Sequence, residues 1–199
     1  MNVRRRDVRQ MFRDLARCTA RLKGERYEGA VIAAAKWQKG GMPGRMADGL
    51  PDILADRHGM MTVQAADESG TLTIKMLLGR KAPTERMAGE GGILRLEARA
   101  EGVAARNVRL RFTAEDVRSF VRDVNDTNAL HGGEKPLVPG LLIMERLLKQ
   151  MEFITCRKVL LKYTMPVFAG QEVVVHSAPP LSEGGGPRSG RGSVGGRSR

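Results

Sequence analysis

A chain of 199 residues with 41% apolar side chains is long enough for one packed domain or two small ones. No run approaches the ~18 apolar residues of a membrane span, the start carries no secretory leader pattern, and Cys18 and Cys156 stand without metal or disulfide spacing. The expectation is a soluble cytoplasmic protein with no membrane contact, metal or cofactor. The formal charge of +12 raises nucleic acid as a partner, but its distribution argues otherwise. Residues 1–50 hold 12 Lys/Arg against 5 Asp/Glu, residues 179–199 hold four Arg against one Glu, and residues 113–178 hold eight of each.

Residues 4–23 are expected to form a basic amphipathic helix, with Val8, Met11, Phe12 and Leu15 at helical spacing and Arg4, Arg5, Arg6, Arg9 and Arg13 around the rest. DNA contact through it would need a second helix at a helix-turn-helix angle, for which the apolar run 30–36 is the nearby candidate. Residues 39–52 are rich in Gly and Pro and read as loop, without the Gly-Lys-Ser/Thr ending of a phosphate-binding loop. We therefore assign 1–60 to a basic helical and loop segment.

From 61 to 112 the period is two. Residues 61–65 and 71–76 form an expected hairpin about Asp67 to Gly70. A second is expected from Leu94, Leu96, Ala98 and Ala100 alternating with Arg95, Glu97 and Arg99, followed by Val108, Leu110 and Phe112 alternating with Arg109 and Arg111. Thr113 followed by Glu115 and Asp116 is a helix start, and Val117, Phe120, Val121 and Val124 continue that helix to Asn125. A second helix, about 140–152, carries Leu141, Met144, Leu147, Leu148 and Met151 and is apolar around more than half its circumference, so it must be wrapped. Two strands about a Pro/Gly turn follow within 158–175, and 179–199 has the composition of a disordered tail.

The stretch between the two helices concentrates the chemistry. Asp126 and His131 stand five residues apart in a polar loop, and Pro139-Gly140 opens the apolar helix. A carboxylate, an imidazole and the free N–H groups of a helix start make an acid/base pair beside anion donors. Asp126 and Asn128 are also residue types that commonly bond their own backbone in loops.

The run from Phe112 to His131 resembles the MaoC-like (R)-specific enoyl-CoA hydratases, whose motif is D-x-N-P-[IL]-H, with Ala129 in place of the Pro. His131, Pro136, Pro139, Gly140 and Glu145 are similar in spacing to H-F-P-G-x-P-x-x-P-G-x-x-x-x-E of the β-hydroxyacyl-(acyl-carrier-protein) dehydratases, with Gly-Gly-Glu after the His. The segment from Tyr163 to Gln171 resembles the strand and turn that follow the central helix in both groups.

This resemblance covers about residues 108–176 and implies an α+β hot-dog fold, an antiparallel sheet wrapped around a central helix. The hot-dog domain would span 61–178, either completed by the strands at 61–112 or truncated after 176. The resemblance also implies a homodimer acting on an acyl-CoA or acyl-carrier-protein thioester, as a hydro-lyase for enoyl and 3-hydroxyacyl thioesters. In that reading Asp126 and His131 are catalytic, Glu145 is the second candidate carboxylate, and Asn128 and Gly140 bind substrate. Lys149, four residues beyond Glu145, offers it an alternative role as an ion pair. An acyl-thioester-sensing regulator with a basic DNA-binding N-terminus, or a thioesterase, would fit the same fold.

Overall fold

The computed structural model describes residues 8–40, 50–67, 70–79, 94–101, 104–150 and 156–178. Arg4 to Arg6, most of the 39–52 loop, the tip of the first hairpin, the 80–92 loop, Met151 and the 179–199 tail lie outside these residues, as do the side chains of Val8 and Met11.

The first element is helix α1, Val8–Thr19. Phe12, Leu15 and Ala16 are buried, and the Phe12 ring meets Trp37 edge-on at 5.9 Å between centroids. Strand β1 follows at Val31–Lys39. This stretch is the nearby candidate for the second helix that DNA contact would need, and its being a strand removes the helix-turn-helix reading. The alanines favour helix weakly. Pairing with a neighbour on each side and period-two burial of Ala35 and Trp37 outweigh that local preference.

β2 (Asp52–Arg57), β3 (Met60–Asp67) and β4 (Gly70–Leu77) form an antiparallel meander, in which β3 and β4 are the expected hairpin. β1 pairs with β4 on one side and with β7 (Lys158–Lys162) on the other. Residues before 60 thus contribute strands to the same sheet rather than a helical and loop segment alone.

β5 (Leu94–Ala100) and β6 (Arg106–Arg111) show the expected alternation but do not pair with each other. β8 (Glu172–Ala178) lies between them, parallel to β5 with Leu96 opposite Val175, and antiparallel to β6 with Val108 opposite Val175. Two strand spacings are about 10 Å, a distance that a five-residue link spans easily. A short connection therefore does not prove a hairpin, and the sheet is mixed rather than antiparallel. Its eight strands run in the order β2-β3-β4-β1-β7-β5-β8-β6.

Helices α2 (Ala114–Val124) and α3 (Gly140–Leu148) complete the fold. The capping box at the start of α2 is present: the Asp116 N–H donates to the Thr113 hydroxyl at 3.0 Å, and the Thr113 N–H donates back to Asp116 at 2.9 Å. Seven of the nine residues of α3 are buried, including Leu141, Met144, Leu147 and Leu148. This helix touches both β1, fourth in the sheet, and β6, at its edge. A flat sheet would hold those strands about 19 Å apart, roughly twice a helix diameter, so the sheet must curl around α3. α1 packs on β3, β4, α2 and α3. No helix among the described residues is long and apolar enough to cross a membrane.

Candidate active site

α2 ends in a left-handed turn at Asn125 (φ 55°, ψ 41°), where the Asp126 N–H reaches back to the Val121 carbonyl at 3.0 Å. This is a Schellman closure, and Asn tolerates the positive φ it needs. The chain then folds on its own side chains. Asp126 Oδ1 accepts from the Asn128 N–H at 3.0 Å, and Asn128 Oδ1 accepts from the Leu130 N–H at 3.2 Å. The Asn128 amide nitrogen donates to the Ala30 carbonyl at 2.8 Å, tying the loop to the approach to β1. Asn128 lines the cavity, and these bonds make it a clamp on the loop, with one amide hydrogen left over.

His131 closes a single turn of 3-10 helix, Ala129–His131. Its Nδ1 lies 2.7 Å from the Leu137 carbonyl, an acceptor, so Nδ1 carries the proton. In that tautomer Nε2 carries the lone pair, and it faces Asp126 Oδ2 at 3.6 Å. The His131 side chain is 9% exposed and that of Asp126 27%. The 137–138 segment is held in turn by the turn after β7, through the Val138 N–H to the Val167 carbonyl at 2.7 Å and a bridge between Leu137 and Phe168. The Tyr163-to-Gln171 segment therefore supports the loop that carries His131.

Asp126, His131 and Gly140 all line one cavity of about 380 Å³. Its walls are mainly apolar, including Ile32, Ile74, Phe120, Val124 and Ile143, which is the usual character of a small-molecule site. Gly140 and Leu141 form the first turn of α3, where N–H groups have no acceptor within the helix. Packing is tight at Gly140 as well: a Cβ there would lie 3.0 Å from the Tyr163 ring and 3.3 Å from Ile32, so those neighbours would have to give way. The Tyr163 hydroxyl donates to the Gly140 carbonyl at 2.5 Å, and burial pushes its phenol far up, so it stays protonated.

Glu145 occupies a different place. It is 2% exposed, is not among the cavity-lining residues, and is bound on both oxygens: Arg13 Nε donates to Oε2 at 3.0 Å and Arg13 Nη2 to Oε1 at 3.3 Å, while Lys149 bonds Oε1. Arg13 also pairs with Asp123, and the Arg17 Nε donates to the Asp123 carbonyl at 2.6 Å. The lysine pair expected from the sequence is present, but in the interior. Burial would lower the Arg13 pKa, yet Glu145 and Asp123 more than offset it and raise it.

Sequence reasoning passed over Arg13 as an anchor, placing it only among the arginines around a basic amphipathic helix. It also passed over Lys23, whose Nζ donates to the Asn125 carbonyl at 3.2 Å and to the Thr127 hydroxyl at 2.9 Å beside the cavity. No local signal marks either contact, because the partners are about a hundred residues away. Neither Cys18 nor Cys156 is in a disulfide, both lie outside the cavity lining, and burial raises both, so neither is poised as a thiolate nucleophile. Among the described residues no cluster of His, Cys, Asp and Glu could hold a metal ion. No family model, curated protein or solved structure matches this chain.

Proposed function

We propose that the chain is a hot-dog hydro-lyase that hydrates enoyl thioesters or dehydrates 3-hydroxyacyl thioesters of CoA or an acyl carrier protein. The observation that carries this reading is the facing of His131 Nε2 and Asp126 Oδ2 across 3.6 Å in an apolar cavity. Two acceptors at that separation suit a water donating to both at about 2.8 Å. Such a water keeps a lone pair for C3 of an enoyl thioester. His131 Nε2 takes a proton from the water as its oxygen bonds C3, the C2–C3 π electrons move to the thioester oxygen, and the first-turn N–H of Gly140 meets that developing charge. The enolate collapses as the imidazolium returns the proton to C2. The products balance: hydroxyl at C3, hydrogen at C2, His131 neutral again.

The curl of the sheet around α3 supports the hot-dog assignment, and the edge strand β2 supports a homodimer. All six residues of β2 are exposed, Ile53 at 53% and Leu54 at 54%. Antiparallel pairing of β2 with a second copy would set Asp52 against Arg57 at both ends. Ile53→Arg should then convert a dimer to a monomer in size-exclusion light scattering.

Purified protein incubated with crotonyl-CoA and longer 2-enoyl-CoA thioesters, with loss of enoyl absorbance as readout, tests the reaction. Turnover that vanishes in His131→Ala is expected. No turnover of any enoyl or 3-hydroxyacyl thioester, on CoA or carrier protein, would remove the reading.

A further inference from the structure

The strands that line the core turn a second face to solvent, and that face is basic. From β4 to β6 the outward positions carry Lys75, Lys36, Lys162, Arg95 and Arg111, none of which has an ion-pair partner among the described residues. Arg109 is answered by Glu172 at 2.7 Å and Lys158 by Glu101 at 3.8 Å. Glu97, opposite both Lys162 and His176, is the one unpaired acid of these strands. Six strands make a convex face about 24 Å along its arc. The excess escapes a count along the chain because it arises from one parity of residues on several strands.

We propose that this sheet face is a docking surface for the phosphate backbone of duplex nucleic acid, bound without sequence preference. No aromatic side chain among the described residues stands on the face, so it lacks the stacking platform on which single strands are held. The exposed large apolar residues, Leu50, Ile53, Leu54, Met60 and Met165, lie outside these six strands, and the outward Leu160 and Val174 are half-buried, so the face has no exposed apolar side chain to insert into a lipid surface. What the face exposes is mainly charge, spread over several strands and so wider than a compact acidic patch. A long, uniformly charged duplex matches that distribution. In the N-terminal helix, Arg13 and Arg17 are committed to Asp123, Glu145 and Asp14.

The test is fluorescence anisotropy of the full chain with a random-sequence 20-base-pair duplex between 50 and 200 mM salt. Five phosphate contacts predict a slope of log K against log salt of about −4.5, a loss of roughly 500-fold over that range. Lys36→Gln, Arg95→Gln and Lys162→Gln together should reduce the slope by about 2.7. Arg21→Gln, Arg118→Gln and Arg122→Gln together, which remove equal charge elsewhere, should leave it within about 0.5. Circular dichroism melts confirm that both variants fold, and each single Gln variant, expected to remove about 0.9, replaces the triple if it does not. The proposal is overturned by no duplex binding at 50 mM salt, by equal loss in both triple variants, by an unchanged slope in the first, or by binding to phosphatidylserine vesicles in place of duplex.

Discussion

A carboxylate site lies at each end of helix α3, and the two are built on opposite principles. Near its N-terminus Asp126 and His131 face one another across 3.6 Å at a cavity wall, with capacity left on both groups. Toward its C-terminus Glu145 is buried and its oxygens are bonded by Arg13 and Lys149. A satisfied buried ion pair has no free proton site and fixes helices in place. An unsaturated acid/base pair at a cavity is what chemistry requires. Both carboxylates matched a motif, and their surroundings separate them.

The contrast predicts opposite signatures on mutation. The largest expected effect is on turnover: His131→Ala and Asp126→Asn should each lower kcat by roughly 10²–10⁴-fold. The melting temperature should shift little, and the double variant should lose little more than either alone. Steady-state kinetics with an enoyl-CoA beside thermal melts reads both quantities. A variant that unfolds would instead assign the pair to structure.

Next in size, Arg13→Ala should destabilise the fold by about 2–4 kcal/mol in urea titrations, because it strips a buried carboxylate of its bidentate partner while Lys149 remains. Activity per folded molecule should persist. Glu145→Gln should follow the same pattern more weakly, at about 1–3 kcal/mol. Should Glu145→Gln abolish turnover while Asp126→Asn is harmless, the two carboxylates exchange roles.

The smallest effect concerns Asp116, a more exposed acid that ties α2 to α3 through Arg146 at 2.8 Å. Burial by itself would raise its pKa, but hydrogen bonds from Thr113 and Arg146 hold it below the ordinary 3.8. A depressed folded pKa gives stability that is present above the unfolded value and lost as pH falls through the folded one. Asp116→Ala should therefore cost about 1 kcal/mol at pH 7. Urea titrations at pH 7 and pH 3 should show the gap from the parent narrowing at the lower pH.

The sequence by itself determined the local structure wherever the cause is local. Thr113 and Asp116 specify the start of α2, Asn125 its end, and the apolar circumference of 141–148 the burial of α3. The same holds for the alternation in β3 to β6 and for the proximity of Asp126 to His131, since a five-residue loop closed by its own Asp and Asn side chains needs little from elsewhere. The pairing of strands was decided only in three dimensions. β1 reads as helix by composition and becomes a strand because β4 and β7 flank it, and β8 enters between β5 and β6 from more than sixty residues away. The role of Glu145 was settled in the same manner, by an arginine 132 residues distant. Alternation tells a strand which side to bury but not which neighbour to take, and a carboxylate's chemistry depends on partners that sequence distance conceals.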